Sequence, residues 1–166
     1  MMKLINVIKS LIIESPTSYS DSIVDYIANK EKFVSKPYKD SAGFLTIGYG
    51  TRLKYYPELQ QVKSIDETKA KQYLKKHIDK EVKSAITNYV KVPLDQNKFD
   101  ALVSLIYNIG RKRFINSKLI EEINKMNDYG IRMEWLSFNK DKKGNLLGGL
   151  TKRRQEEYEL FGKFVK

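Results

Sequence analysis

The chain has 166 residues, which suits a single domain and is long enough to bury a substantial hydrophobic core. It contains no cysteine and one histidine, which excludes a disulfide framework, a thiolate metal site and a cluster of histidine ligands. Its 31 Lys and Arg residues outnumber its 20 Asp and Glu residues. The resulting net charge of +11 favours a polyanionic partner, such as nucleic acid, anionic lipid or bacterial cell wall, without choosing among them.

Residues 1–15 form an apolar, amphipathic segment that Lys9 interrupts. The segment is shorter than the roughly 20 residues of a membrane-spanning helix, and it lacks the small-residue cleavage signature of a signal peptide. A weak signal sequence, a signal-anchor and a membrane-touching helix are alternatives, but a packed helix or a mobile extension is favoured. Residues 15–18 are typical of a linker. We therefore predict an extension with its linker over 1–19 and one domain over 20–166.

A helix is predicted after this linker, with Ser20 or Asp21 as its N-cap. One face of the helix is apolar and consists of Ile23, Val24, Tyr26, Ile27 and Phe33. Glu31 follows at helical spacing, so helical geometry puts its carboxylate beside this apolar face. A carboxylate in such a setting must be paired or protonated.

A change of period from 3.6 to two after Pro37 predicts a short β-hairpin with its turn at 41–43. Asp40 lies at this turn in polar surroundings, which favour its charged form. Glu31 and Asp40 thus come from different elements that can face each other across a cleft. Such a pair suits glycoside hydrolysis, in which a protonated acid donates to the leaving oxygen while an ionised carboxylate works on the other face of the sugar.

Eight residues separate Glu31 from Asp40, and five separate Asp40 from Thr46, within a stretch that contains YKDSAGFLTIGYG. These residues closely resemble the Glu/Asp/Thr catalytic triad of phage-type lysozymes, glycoside hydrolase family 24, which includes the T4 and P22 endolysins. The spacing by itself would be a weak pattern. The glycines and aromatic residues around it make the resemblance a specific one.

The basic and aromatic residues of 52–57 predict either a third strand or loop covering the small sheet, or a surface for sugar rings or a polyanion. Ser64 or Asp66 is predicted to cap a long helix that runs to about Tyr89. In the family, a long helix at this position joins the two lobes. The lysines of this helix are interpreted as a solvated face rather than a nucleic-acid patch, and His77 as a surface histidine.

Asp95 is predicted to cap the next helix, which ends at Gly110. The run FDALVSLIYNIG is similar to a second signature of the family, and most of its residues are expected to pack in the core. Asn108, near the end of this helix, is the exception, because its amide could hydrogen-bond a saccharide. Two short amphipathic helices follow, and Trp135 is expected in the core rather than as a sugar platform.

A last helix is predicted from about Thr151, and its run TKRRQEEYELF is similar to the ending of the family. Arg153 and Arg154 are expected to be structural ion-pair partners for Glu156 and Glu157, a role favoured over the alternative that they help to hold the cleft.

The resemblance, which covers about residues 23–162, implies an α+β, lysozyme-like fold: mostly helical, with a small antiparallel β-sheet lobe and a helical lobe flanking a cleft. It also implies an endolysin that hydrolyses the β-1,4 bond between N-acetylmuramic acid and N-acetylglucosamine in bacterial peptidoglycan. Glu31 would be the general acid. Asp40 would be the general base on a water that Thr46 helps to position, or would stabilise or attack the oxocarbenium-like centre. Tyr49 and Asn108 are expected to contact the substrate.

No cofactor and no metal are expected, and the expected partner is peptidoglycan rather than a specific nucleic acid or a stably spanned membrane. We expect a monomer that is made in the host cytoplasm and acts on the cell wall after release. A lytic transglycosylase on the same scaffold is an alternative, in which the muramyl 6-hydroxyl replaces water. Two non-enzymatic functions are also open: binding of cell wall or nucleic acid by a cationic protein, and disruption of membranes.

Overall fold

The computed structural model describes residues 16, 18–40, 43–141 and 143–162, so the predictions for 1–15 lie outside the described residues. The helices are α1 (Asp21–Lys30), α2 (Glu67–His77), α3 (Ser84–Tyr89), α4 (Gln96–Ile109), α5 (Arg111–Ile115), α6 (Lys118–Asn124), α7 (Asp128–Leu136) and α8 (Gly148–Gly162). The strands are β1 (Val34–Lys39), β2 (Leu45–Gly48) and β3 (Thr51–Arg52). Two short 3-10 turns follow, over Leu53–Tyr55 and Pro57–Leu59. Within these ranges, every helix is too short or too polar to cross a bilayer.

The described residues fall into two compact units. The first, which we call the sheet unit, comprises residues 20–83 and contains a three-stranded antiparallel sheet in the order β1-β2-β3. The second, the helical unit, begins at residue 84 and also includes the described residues before 20. Each unit has its own buried side chains, as expected for elements that are apolar on one face. This is the mostly helical α+β class predicted from the sequence.

Helix α1 carries the predicted N-cap. The Ser20 hydroxyl accepts a hydrogen bond from the Ile23 N–H at 3.3 Å, and Asp21 lies in the first turn, where a negative charge complements the helix dipole. The apolar face packs inward through Ile23, Val24, Ile27 and Ala28. The helix ends at Lys30, and the chain leaves it in an extended conformation at Glu31.

Gly48 allows strand β2 to lie directly against helix α2. Its φ of 66° is in the left-handed region, where glycine is favoured. A Cβ at this position would lie 3.0 Å from the Cβ of Ala70 and 3.2 Å from Cδ1 of Ile65. A larger residue would therefore push the sheet away from the helix that supports it.

The helix predicted between residues 66 and 89 begins as expected, because the Asp66 carboxylate accepts the Lys69 N–H at 2.7 Å. It is not one regular helix, however, since a π-helical turn over Ile78–Lys83 separates α2 from α3. Both apolar residues of this turn, Ile78 and Val82, are buried. These two residues are four apart, a spacing that places side chains on the same face of a helix.

His77, interpreted as a surface histidine, is only partly exposed, at the end of α2 next to the π-helical turn. Burial lowers the pKa of His77, and the cations Arg52 and Lys80 lower it further, while Glu81 opposes them.

The helical unit is organised around α4, which packs on α8. The Asp95 carboxylate caps α4 by accepting the Lys98 N–H at 2.9 Å, and Gly110 ends it with a φ of 87°, as predicted. Every residue from Phe99 to Ile106 is buried. Trp135 is also fully buried, with its ring 5.1 Å from that of Phe161, which confirms its expected place in the core.

Helix α8 begins at Gly148, three residues before the predicted start, and contributes a buried ion cluster. Arg153 and Arg154 both donate hydrogen bonds to Glu157. Arg153 Nε lies 3.1 Å from Glu157 Oε1, and Arg154 Nη2 lies 3.0 Å from the same oxygen. The Ser104 hydroxyl of α4 donates to the same oxygen at 2.6 Å. The expected structural ion pairs are therefore confirmed, with Glu157 as the shared acceptor, and they tie α8 to α4.

Candidate active site

One face of the small sheet carries the polar residues singled out from the sequence. Tyr38 of β1 lies opposite Thr46 of β2, and Thr46 lies opposite Arg52 of β3. Cross-strand partners point to the same face of a sheet, and so do residues two apart along a strand. The chain on either side of the hairpin turn therefore brings Asp40 and Phe44 to this same face.

Asp40 is held by the backbone of its own hairpin. Its Oδ1 accepts the Phe44 N–H at 2.9 Å, while its own N–H donates to the Phe44 carbonyl at 2.9 Å. The Gly43 N–H donates to the Asp40 carbonyl at 2.8 Å, which closes the turn. The backbone hydrogen bonds thus fix the start of the Asp40 side chain, and one of its two carboxylate oxygens is engaged locally.

The second carboxylate oxygen of Asp40 faces a cation that the sequence pattern did not pair with it. Arg52 Nη2 lies 3.2 Å from Asp40 Oδ2. The Arg52 guanidinium also lies over the Phe44 ring, with its carbon 4.1 Å from the ring centroid. Strand alternation could have predicted this contact, because it places residue 52 on the same face of the sheet as Thr46 once β3 is recognised as a strand.

Thr46 is almost completely buried, with 1% of its surface exposed. Its hydroxyl donates to the Phe44 carbonyl at 2.9 Å. The hydroxyl proton is therefore engaged, and the oxygen keeps its lone pairs for accepting a further hydrogen bond.

Glu31 is the C-cap residue of α1 and lies three residues before β1. Its N–H donates to the Ile27 carbonyl at 2.9 Å, which fixes where its side chain starts. Glu31 is half-buried, whereas Lys32 next to it is exposed.

Tyr38 links the two carboxylates electrostatically. Burial raises the pKa of the Tyr38 phenol, and the charges of Asp40 and then Glu31 raise it further. Both carboxylates therefore act on one phenol, although they come from a helix end and from a hairpin turn. Asp40 and Thr46 thus lie side by side through their shared contacts with Phe44, and Glu31 belongs to the same unit.

Tyr49 and Asn108, the two expected substrate contacts, lie in different units. The Tyr49 ring is buried with its centroid 5.5 Å from that of Phe33, and its hydroxyl is 3.4 Å from a Glu67 carboxylate oxygen. Burial and then the nearby Glu67 raise the pKa of Tyr49. This setting favours a packing role for Tyr49. Asn108 is half-buried in the last turn of α4, and its contact with substrate stays a prediction.

The described residues contain no group of three or more His, Asp or Glu side chains arranged to hold a metal ion. The side chains gathered at the sheet supply carboxylates, hydroxyls and a guanidinium. Glu31 supplies a half-buried carboxylate, Asp40 a carboxylate engaged by N–H donors, and Thr46 a hydroxyl next to Asp40. This set of groups suits acid–base chemistry at an acetal.

Comparison with known proteins gives a consistent result. The sequence profile of the phage lysozyme family matches residues 28–157. The endolysin of Acyrthosiphon pisum secondary endosymbiont phage 1 is 36% identical over 129 residues, which are 76% of this chain and 85% of that protein. The endolysin of Salmonella phage P22 is 35% identical over 127 residues, again 76% of this chain and 85% of that protein.

Two solved structures resemble the chain over most of its length. An endolysin from Escherichia coli O157:H7 phage FAHEc1 superposes with a TM-score of 0.76 at 36% identity, covering 89% of this chain and 95% of that one. The muramidase domain of SpmX from Asticaccaulis excentricus superposes with a TM-score of 0.78 at 26% identity, covering 88% of this chain and 98% of that one. These superpositions confirm the predicted fold class.

Proposed function

The chain belongs to the phage lysozyme family, and from this premise we propose that it is an endolysin with N-acetylmuramidase activity. It hydrolyses the β-1,4 bond between N-acetylmuramic acid and N-acetylglucosamine in bacterial peptidoglycan. Glu31 is the general acid, Asp40 the general base, and Thr46 the residue that positions the attacking water. No cofactor is needed, because proton transfer and water supply the whole reaction.

The observation that supports these roles best is the backbone of Phe44. Its carbonyl accepts both the Asp40 N–H and the Thr46 hydroxyl, and its N–H donates to the Asp40 carboxylate. One residue therefore holds the candidate base and the candidate water ligand side by side. Such fixed geometry is what orientation of a reactant requires.

The proposed reaction begins with a protonated Glu31. Its proton goes to the glycosidic oxygen as the bond between that oxygen and the anomeric carbon breaks. The position of Glu31 at the end of α1 suits this role, because the hydrogen bond from its N–H to the Ile27 carbonyl fixes where the side chain starts. After the product leaves, Glu31 takes up a proton from solvent, and Asp40 releases to solvent the proton that it received from the attacking water.

Water completes the reaction in this proposal. The Thr46 proton is engaged by the Phe44 carbonyl, so the Thr46 oxygen accepts a hydrogen bond from the water. The second water proton goes to Asp40 as the oxygen attacks the anomeric carbon. A carboxylate offers about four lone-pair sites, two on each oxygen. In Asp40 the Phe44 N–H binds Oδ1 and Arg52 Nη2 faces Oδ2. Attack by water from the face opposite the leaving group inverts the anomeric configuration.

The proposed site of action is the cell wall. We infer that the protein is made in the host cytoplasm and reaches peptidoglycan after release. The net charge of +11 supports attraction to an anionic wall.

The test is the clearing of purified peptidoglycan by the wild type, Glu31→Gln and Asp40→Asn. Each variant is expected to lose about 10²- to 10⁴-fold in rate, which is the usual contribution of a general acid or base. Asp25→Asn is a matched control, because it removes an exposed carboxylate of α1 within the same unit. Its rate is expected to stay within about two-fold of the wild type.

Mass spectrometry of the released fragments distinguishes hydrolysis from transglycosylation. Reducing muramic ends would support hydrolysis, whereas anhydromuramic ends would assign the protein to the lytic transglycosylases. Equal clearing by the wild type and Glu31→Gln would overturn the proposed mechanism and favour binding or membrane disruption.

A further inference from the structure

We propose that Arg52 is a positioning residue for the reaction, which fixes the orientation of the Asp40 carboxylate from the neighbouring strand. This inference rests on the proposed function, because it concerns the residue assigned there as general base. The inference is supported by contacts among three residues. Arg52 is paired with Asp40 and lies over the Phe44 ring, and the Phe44 backbone N–H donates to the Asp40 carboxylate.

The Asp40 carboxylate is held at both of its oxygens. The Phe44 N–H donates to Oδ1, and a contact at one oxygen does not by itself define the plane of a carboxylate, which can rotate about its last bond. Arg52 Nη2 reaches the other oxygen, Oδ2, at 3.2 Å. With both oxygens engaged, the plane of the carboxylate is defined, and so is the direction of the lone pairs that receive the water proton.

The guanidinium is itself held in place by an aromatic ring. Its carbon lies 4.1 Å from the centroid of Phe44, and Lys54 Nζ lies 4.4 Å from the same centroid. A planar guanidinium stacks on an aromatic face while its edge donates to a carboxylate, which an ammonium cannot do equally well. Phe44 is 37% exposed, so its ring lies at the surface, where the cations contact it.

The Arg52 and Asp40 pair is too exposed to be explained as a stabilising ion pair. The two side chains are 37% and 22% exposed, and ion pairs of this kind contribute little to folding. A purely structural role would appear in the melting temperature. A positioning role would appear in the rate, with little change in stability.

The pH dependence of Asp40 involves charged groups from neighbouring elements. Arg52 of β3 is paired with Asp40, and the charges of Asp40 and of Glu31, at the end of α1, both raise the pKa of Tyr38 on β1. The charge of Arg52 also contributes to lowering the pKa of His77 on α2. Loss of the Arg52 charge favours protonation of a nearby carboxylate, so the acid limb of the pH–rate profile is expected to move to higher pH.

The experiment measures kcat, KM and the pH–rate profile on soluble peptidoglycan fragments for Arg52→Gln and Arg52→Lys. Arg52→Gln is expected to lower kcat about ten-fold and to change KM less than about two-fold, because it affects orientation rather than substrate binding. Arg52→Lys, which keeps the charge but not the planar fork, should recover part of kcat and the position of the acid limb. Phe44→Leu is expected to lower kcat less than Arg52→Gln, since it removes only the support of the guanidinium.

Lys71→Gln is the matched control. Lys71 is another half-exposed cation of the sheet unit, and it is paired with Asp25 at 2.7 Å. This variant changes the net charge by the same amount as Arg52→Gln. It is expected to keep the wild-type kcat and pH profile.

A second readout separates this inference from the proposed function. NMR of the Asp40 carboxyl carbon against pH reports the pairing without any activity, and its midpoint should rise in Arg52→Gln and not in Lys71→Gln. An active wild type combined with an unchanged kcat, acid limb and NMR midpoint in Arg52→Gln would overturn the positioning role. A shifted midpoint in a protein that never cleaves peptidoglycan would instead overturn the proposed function and leave only the ion pair.

Discussion

At the scale of single residues, the site depends on a few side chains whose starting points are fixed by backbone hydrogen bonds. Glu31 is fixed by the last hydrogen bond of α1, and Asp40 by the hairpin turn. Thr46 is fixed by burial and by its bond to the Phe44 carbonyl. Residues held in this way lose little freedom when substrate binds, which favours catalysis by orientation.

Thr46→Val tests the role of the Thr46 hydroxyl. Valine keeps the shape and the β-branching, which suit a strand, but removes the hydrogen-bonding oxygen. We expect the rate of peptidoglycan cleavage to fall about 10²-fold, which is the cost of misplacing a reactant by roughly 1 Å.

Thr46→Ser is the control for this variant, because it keeps the hydroxyl and removes a methyl group. It should retain most of the activity. Full activity of Thr46→Val, with an unchanged melting temperature, would exclude a positioning role for the hydroxyl.

At the scale of secondary structure elements, each of the two units is stabilised by a different kind of internal contact. The sheet unit relies on close apolar packing, as at Gly48, where β2 lies against α2. The helical unit adds a buried ion cluster, in which Glu157 of α8 accepts from Arg153, Arg154 and Ser104. Breaking a buried ion pair by removing one partner is costly, because the remaining charge stays buried.

Glu157→Gln is therefore expected to destabilise the protein by about 3–5 kcal/mol, since the buried arginines lose the charge that balances them. Chemical denaturation monitored by circular dichroism measures this change. Glu159→Gln is the matched control, because Glu159 is an exposed residue of the same helix. It should change the free energy of unfolding by less than about 0.5 kcal/mol. Equal stabilities of the two variants would show that the cluster contributes little.

At the scale of the whole molecule, the excess of positive charge is the dominant feature. A net charge of +11 attracts the protein to any polyanion, and salt screens this attraction. Attraction of this kind adds to binding without taking part in the chemical step, which depends on the local groups of the sheet unit.

Raising the salt concentration from about 50 mM to about 500 mM should therefore increase KM for intact anionic cell walls several-fold and leave kcat nearly unchanged, because salt screens long-range charge. Rates on a short uncharged glycan provide the control and should change much less. A KM for intact walls that does not depend on salt would mean that the charge has no part in wall binding.

Much of this protein followed from its sequence, because the relevant signals are local. The caps Ser20, Asp66 and Asp95 bond backbone groups three residues away, and Gly110 ends α4 through its own φ angle. The hairpin and the spacing of Glu31, Asp40 and Thr46 lie within one short stretch. These features depend on neighbours along the chain, so a single sequence is enough to predict them.

Only the tertiary structure decided the features that depend on distant parts of the chain. The pairing of Arg52 with Asp40 needs the register of three strands, and the choice of Glu157 as the shared partner of both arginines needs the packing of α8 on α4. The half-burial of His77 and the tight approach of Gly48 to Ala70 depend on how α2 packs. Side-chain alternation and helical period give each residue a face, but which groups meet on that face is decided by the packing of the elements.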